Sequence, residues 1–165
     1  MSTNLTTNYR WTTVRDAIRT ELLTISSVVL VHPFLRWDGN LNNNEQRFLK
    51  KFQPLGANII NAWTISRLDQ TKDFLTNRET LVRTLVAMNF WYSLDDDKAS
   101  NDTFDNIVDD VVDHFDEPIR LSGAVEIQGP VNIAEEDFRF FGTKLVHHAE
   151  LQTIAQHRVF TNQFR

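Results

Sequence analysis

The sequence predicts an α+β domain, and three observations predict it. Two segments carry apolar residues at the three- and four-residue steps of a helix, several others alternate in the manner of strands, and a 165-residue chain that is 41% hydrophobic can bury one core. Residues 1–165 read as one domain, because no repeat, heptad or low-complexity linker divides them.

The first helix is expected over residues 9–25, where Trp11, Val14, Ile18, Leu22 and Ile25 form one stripe and Arg10, Arg15, Arg19 and Glu21 fall on other faces. Thr7 or Asn8 is placed to cap it. Residues 27–31 are β-branched and read as a strand or extended connector ended by Pro33. Residues 36–46, with Asp38-Gly39 and an asparagine cluster, suit an exposed loop, and residues 47–52 suit a strand. Pro54 and Gly56 mark a turn into a strand over residues 58–68, with Ile59, Trp63 and Ile65 on its bulkier face. Residues 69–79 have the polarity of a hairpin arm. Over residues 80–94, Val82, Val86, Met88, Phe90, Tyr92 and Leu94 share one parity and predict a strand.

A loop at Asp95-Asp96-Asp97-Lys98 precedes the clearest helix, residues 103–115, in which Phe104, Ile107, Val108, Val111, Val112 and Phe115 form the apolar stripe and Asp102 is the expected N-cap. The remainder reads as β: residues 124–128, a turn at Gly129-Pro130, a short aromatic run at 138–141, and a half-buried antiparallel strand over 145–160. In that last strand Leu145, Ala149, Leu151, Ala155 and Val159 share the inward face.

No cysteine is present, which removes disulfides, cysteine–zinc sites and thiol nucleophiles. The polar first residues do not read as a signal peptide, and no run approaches the ~20 apolar residues of a membrane span. Synthesis inside the cell and a soluble chain are therefore expected. A net charge of -5 argues against binding nucleic acid by neutralising phosphates. The charge is segregated: the N-terminal third holds Arg10, Arg15, Arg19, Arg36, Arg47, Lys50 and Lys51 against four acidic groups, whereas residues 95–120 hold ten acidic groups against Lys98 and Arg120. Unlike ends of this kind can pair between copies.

The five glycines form no phosphate cradle or nucleophile elbow, and the aspartate run lacks the spacing of a calcium loop. His147 and His148 are adjacent in an expected strand and point to opposite faces, so they do not chelate one ion; His148 and Glu150 share a face but are only two ligands. His114 is expected to pair with Asp110 one turn earlier, and His32 and His157 have no sequence-local partner. The aromatics fall mostly at core parities. No catalytic residue, metal ligand or cofactor site is predicted.

The order of helix, β-rich middle with polar arm, amphipathic helix and closing β segments resembles the tail terminator or tail-completion (neck) proteins of long-tailed bacteriophages. The likeness is carried by residues 9–25, the strand pair around Ala62-Trp63-Thr64-Ile65 and 88–92, residues 103–115 and residues 142–155. It implies a mixed or antiparallel sheet flanked by an N-terminal helix and a second amphipathic helix. It further implies a homohexameric ring at the head-proximal end of a tail tube, with the tube protein and head–tail connector proteins as partners. The protein would be made in the host cytoplasm and built into the virion, the genome passing through the ring without sequence-specific contact. No enzyme activity or cofactor follows from it. Arg15, Arg19, Phe74, Leu75, Asp109 and Asp113 are the candidate interface residues. Two other readings fit: a connector or adaptor ring of the neck, and a small ligand-binding or hydrolytic α+β cone using His147 and an aspartate.

Overall fold

The computed structural model describes residues 10–32, 50–55, 58–121, 125–141 and 143–160. It is α+β, built on a six-stranded mixed sheet. In chain order come helix α1 (Trp11–Leu22), β1 (Val31–His32), β2 (Asn61–Thr76), β3 (Glu79–Ser93), a 3₁₀ turn (Asp96–Lys98), helix α2 (Ser100–His114), β4 (Ile119–Arg120), β5 (Glu126–Phe141) and β6 (Lys144–Phe160). The sheet order is β1-β2-β3-β6-β5-β4; β1 joins β2 in parallel and every other pair is antiparallel.

Both helices bury the stripes that periodicity assigns them. Val14, Ile18 and Leu22 of α1 and Phe104, Ile107 and Val111 of α2 join Trp63, Ile65, Val86, Met88, Phe90, Ala149, Leu151 and Ala155 of the sheet in one core. Those sheet residues share a parity on each strand, so the helices lie on one face. Trp63 stacks on Phe90 at 4.5 Å between ring centres, Phe90 on Phe104 at 5.4 Å and Phe104 on His147 at 5.0 Å, a column that ties β2, β3, α2 and β6 together. A smaller cluster of Phe52, Ile60, Ala62, Phe141 and Val146 covers part of the opposite face.

Several expectations need correcting. Thr7 and Asn8, and residues 36–46, lie outside the described residues. Arg10 precedes α1 as its N-cap without a side-chain bond. Lys50 and Lys51 are helical and Phe52 lies in a turn, where a strand was expected, because Phe52 is needed as a plug over the small core. The N-cap of α2 is Ala99, in the left-handed region at φ 48, and Asp102 sits inside the first turn. The aspartate loop closes as the 3₁₀ turn.

Gly129-Pro130 does not turn the chain. It lies within β5, at a register shift between Gln128 and Asn132 that lets one strand run from Glu126 to Phe141. Gly129 is required there by proximity: a Cβ would come within 2.8 Å of the Phe115 carbonyl oxygen and 2.9 Å of that of Asp116, at the end of α2. In β6 the odd residues from His147 to His157 are buried as the alternation demands, except that Leu145 is exposed and Val159 only half-buried; Val146 and His148 on the even side are buried too, near the small core.

Candidate subunit interface

The polar arm is a strand pair projecting from the core. β2 is buried over Asn61–Ile65 and exposed from Arg67 to Thr76, while β3 and β6 run beside it to the end, with Glu79 opposite Phe160. Phe74 is 85% exposed and Leu75 46%. Among the described residues nothing pairs with the outer side of β2 beyond Thr64, since β1 pairs only with Trp63 and Thr64. Register shifts at Leu68 and Leu75 bracket a regular run, Asp69–Phe74. Such bulges are a common way to blunt an edge. Within the run, Asp69 Oδ1 accepts the Gln70 N–H at 2.7 Å, and Arg83 pairs with Asp73.

The other border is β5, which pairs with β4 only at Glu126 and Ile127, so its outer side from Asn132 to Phe141 has no strand partner among the described residues. Ile133, Phe138 and Phe140 are exposed there, at 45%, 57% and 75%. With Phe74 and Phe160, four phenylalanines among the described residues are exposed, against the expectation that the aromatics sit mostly at core positions. The run Phe138-Arg139-Phe140-Phe141 carried this signal in the sequence.

Of the candidate interface residues, Phe74 and Leu75 lie together at the arm, and Asp109 and Asp113 are exposed on α2. Arg15 is paired with Asp16 at 2.9 Å, and Arg19 Nε donates to the Val31 carbonyl at 2.9 Å, tying α1 to β1. These two cations are engaged inside their own subunit. Arg67, Lys72 and Arg78 near β2 make no ion pair among the described residues; Arg67 lies over the Trp11 ring at 5.9 Å. On the opposite border, slight desolvation of the largely exposed Glu136 carboxyl raises it above its ordinary range, and the charges of Asp105 and Asp109 on α2 push it further.

The histidines are held by distant residues that sequence spacing does not reveal. His114 bonds Glu21 on α1 at 2.8 Å instead of Asp110. His147 Nε2 lies 2.9 Å from Ser100 Oγ, and that hydroxyl accepts the Asp95 N–H at 2.8 Å. His148 is fully buried between Asp137 (Nδ1 to Oδ1, 2.9 Å) and the Asn89 side-chain amide (Nε2, 3.0 Å), and Glu150 is not its partner. Burial holds the His148 ring below the usual imidazole range, and its two nitrogens face two acceptor oxygens, Asp137 Oδ1 and Asn89 Oδ1. Burial pushes the Asp137 carboxyl up, but hydrogen bonds from Arg139 and His148 outweigh it and the carboxyl titrates below its ordinary range.

Glu135, Asp137 and His148 bring three potential ligand atoms within 4.8 Å of one another. Arg139 bridges both of these carboxylates, however, and a cation would have to displace a guanidinium already placed to neutralise them. No helix among the described residues is long and apolar enough to cross a membrane. No protein-family model matches the chain, and no curated protein matches it.

Proposed function

We propose that the protein is a structural virion component that closes into a ring at the head-proximal end of a phage tail tube, ending tube growth and joining tail to head. The observation that carries the assembly half is the concentration of exposed apolar side chains on two sheet borders that have no strand partner among the described residues: Leu68, Phe74 and Leu75 on one, Ile133, Phe138 and Phe140 on the other. Monomeric proteins rarely leave such edges uncovered. The virion half rests on the resemblance in element order, including two helices placed against one sheet. The number six rests on the same resemblance, and a connector ring of the neck would use the same surfaces.

Neither buried histidine pair favours a hydrolytic cone. His147 Nε2 meets the hydroxyl of Ser100, the first residue of α2, and both are buried against the stacked rings. His148 has its aspartate, but both ring nitrogens are engaged by side chains of the sheet.

Light scattering on the eluting protein, alone and with tail tube, followed by imaging of any oligomer, tests the reading. The expected result is a closed ring that caps tube ends. A monomer that leaves tube length unchanged defeats it.

A further inference from the structure

We infer that the ring closes by sheet continuation: the outer edge of β5 in one copy pairs, antiparallel, with the Asp69–Phe74 edge of β2 in the next. The inference rests on the self-assembly part of the proposed function and is independent of the virion part.

Strand direction comes first. From β2 through β3 and β6 to β5 each neighbour is antiparallel to the last, so β5 runs opposite to β2. When copies repeat head to tail in one orientation, β5 of one therefore meets β2 of the next in the antiparallel sense, with no subunit inverted. That is a heterologous contact, the kind that closes a ring. The partner is a second copy because each border supplies what the other lacks.

Charge gives the second argument. Trp63, Phe90, Ala149 and Glu136 lie in one row across the sheet, so Glu136 is on the helix-bearing face, where Asp105 and Asp109 stand beside it. Arg67 and Lys72 on β2 pair with Val86 and Val82, which puts them on that same face at the opposite border. Head-to-tail repetition thus brings unneutralised cations and anions to the same side of the joint, where they steer and set the register. Phe74, also on this face, and Phe138 and Phe140 add apolar contact at the seam.

Position along the strands gives the third. Phe74 is level with Thr80 and, through it, with Val159 of β6, whereas Glu135 is level with Glu150, so the two free runs are offset by about nine residues along β6. Copies joined through them are staggered, and the strands tilt relative to the ring axis as a closed sheet requires.

The absence of cysteine makes the test clean. Thr71→Cys and Ala134→Cys are both exposed sites on the two edges. The two full-length single variants are assembled separately and as a mixture, then treated with a short bismaleimide. The expected result is at least about tenfold more cross-linked dimer in the mixture than in either variant alone. The double variant should give a ladder ending at the full ring. In parallel, Lys72→Pro removes an N–H on the same side of β2 as that of Gln70, which faces the free edge; it should weaken assembly about tenfold or more with the melting temperature preserved.

Cross-links within one single variant, or a ring with no mixed product, overturn the inference and leave the ring reading standing. Mixed cross-links in a ring that fails to cap tubes do the reverse. A chain that stays monomeric with tube present overturns both.

Discussion

Strand β2 behaves as two different strands in sequence. Its root, Asn61–Ile65, is buried on both faces, between the helices on one side and Phe52 with Ile60 on the other; its tip, from Arg67 to Thr76, is exposed on both. Neither half shows the simple in–out alternation of a half-buried strand, for opposite reasons. The root holds the fold together and the tip is free to act elsewhere, so substitutions in the two halves should have separable consequences.

The largest effect is expected at the root and in the helix packed on it. Trp63→Ala and Phe115→Ala each remove a fully buried ring, and each should cost roughly 3–5 kcal/mol. In a domain of this size that is on the order of 6–20 °C in melting temperature. Calorimetry showing no change for both would break the division between root and tip.

Next comes the crease in β5. Gly129→Ala places a methyl group against two backbone carbonyls that cannot swing aside, at an expected cost of about 1–3 kcal/mol. A denaturant midpoint equal to that of the parent would show that β5 and the end of α2 separate more easily than their approach suggests.

Acid should act on the fold before it acts on the tip. Burial lowers the folded-state pKa of both His148 and His157 from the ordinary 6.5. The unfolded chain then binds the extra protons, so stability is fully present above about pH 6.5 and is lost as pH falls through the folded values, by at most ~1.4 kcal/mol per pH unit for each ring. Thermal melts between pH 7.5 and 5 should show this slope, and a His148→Gln, His157→Gln variant should flatten it. An unchanged slope in that variant would assign the acid sensitivity to other groups.

These contrasts also explain what was legible in the sequence. The two helical stripes and the odd face of β6 could be read because one side of each is buried and period alone reports that. The passage of β5 through Gly129-Pro130 could not, since a glycine and a proline read locally as a turn, while the reason they lie in a strand is the approach of α2. Histidine partners were hidden for a similar reason. Glu21 and His114 are 93 residues apart, and Asn89 and His148 are 59 apart, so only the assembled sheet and helices bring them together. In the polar arm, Phe74 and Leu75 stand out in the sequence as apolar residues, whereas Phe138 and Phe140 read with the other aromatics as core until β5 is known to be a border.

At the tip, Phe74→Ser with Leu75→Ser should alter fold stability far less than Trp63→Ala, by about 1 kcal/mol or less, because Phe74 is almost wholly and Leu75 about half in water. Ring formation should weaken in the same variant. A drop in melting temperature of the size expected for Trp63→Ala would show that the tip supports the fold after all.

The smallest effect on the fold has the most informative sign. Glu136 has a raised folded-state pKa, through slight desolvation and through Asp105 and Asp109, so its ionisation is resisted and stability falls as pH rises from its ordinary 4.5 through the folded value. Glu136→Gln relieves that repulsion and should stabilise the isolated subunit by only ~0.2–0.5 kcal/mol at neutral pH, since the side chain is exposed and screened. The gain should disappear below pH 4.5, where the parent carboxyl is neutral as well. If copies pair edge to edge as proposed, the same substitution removes an anion facing the cations of the next copy, so ring formation should weaken, and the loss should shrink as salt is raised. A variant that melts slightly higher and assembles less well is the combination expected of a group kept for contact between copies. Lower stability together with unchanged assembly would mean that Glu136 serves its own subunit.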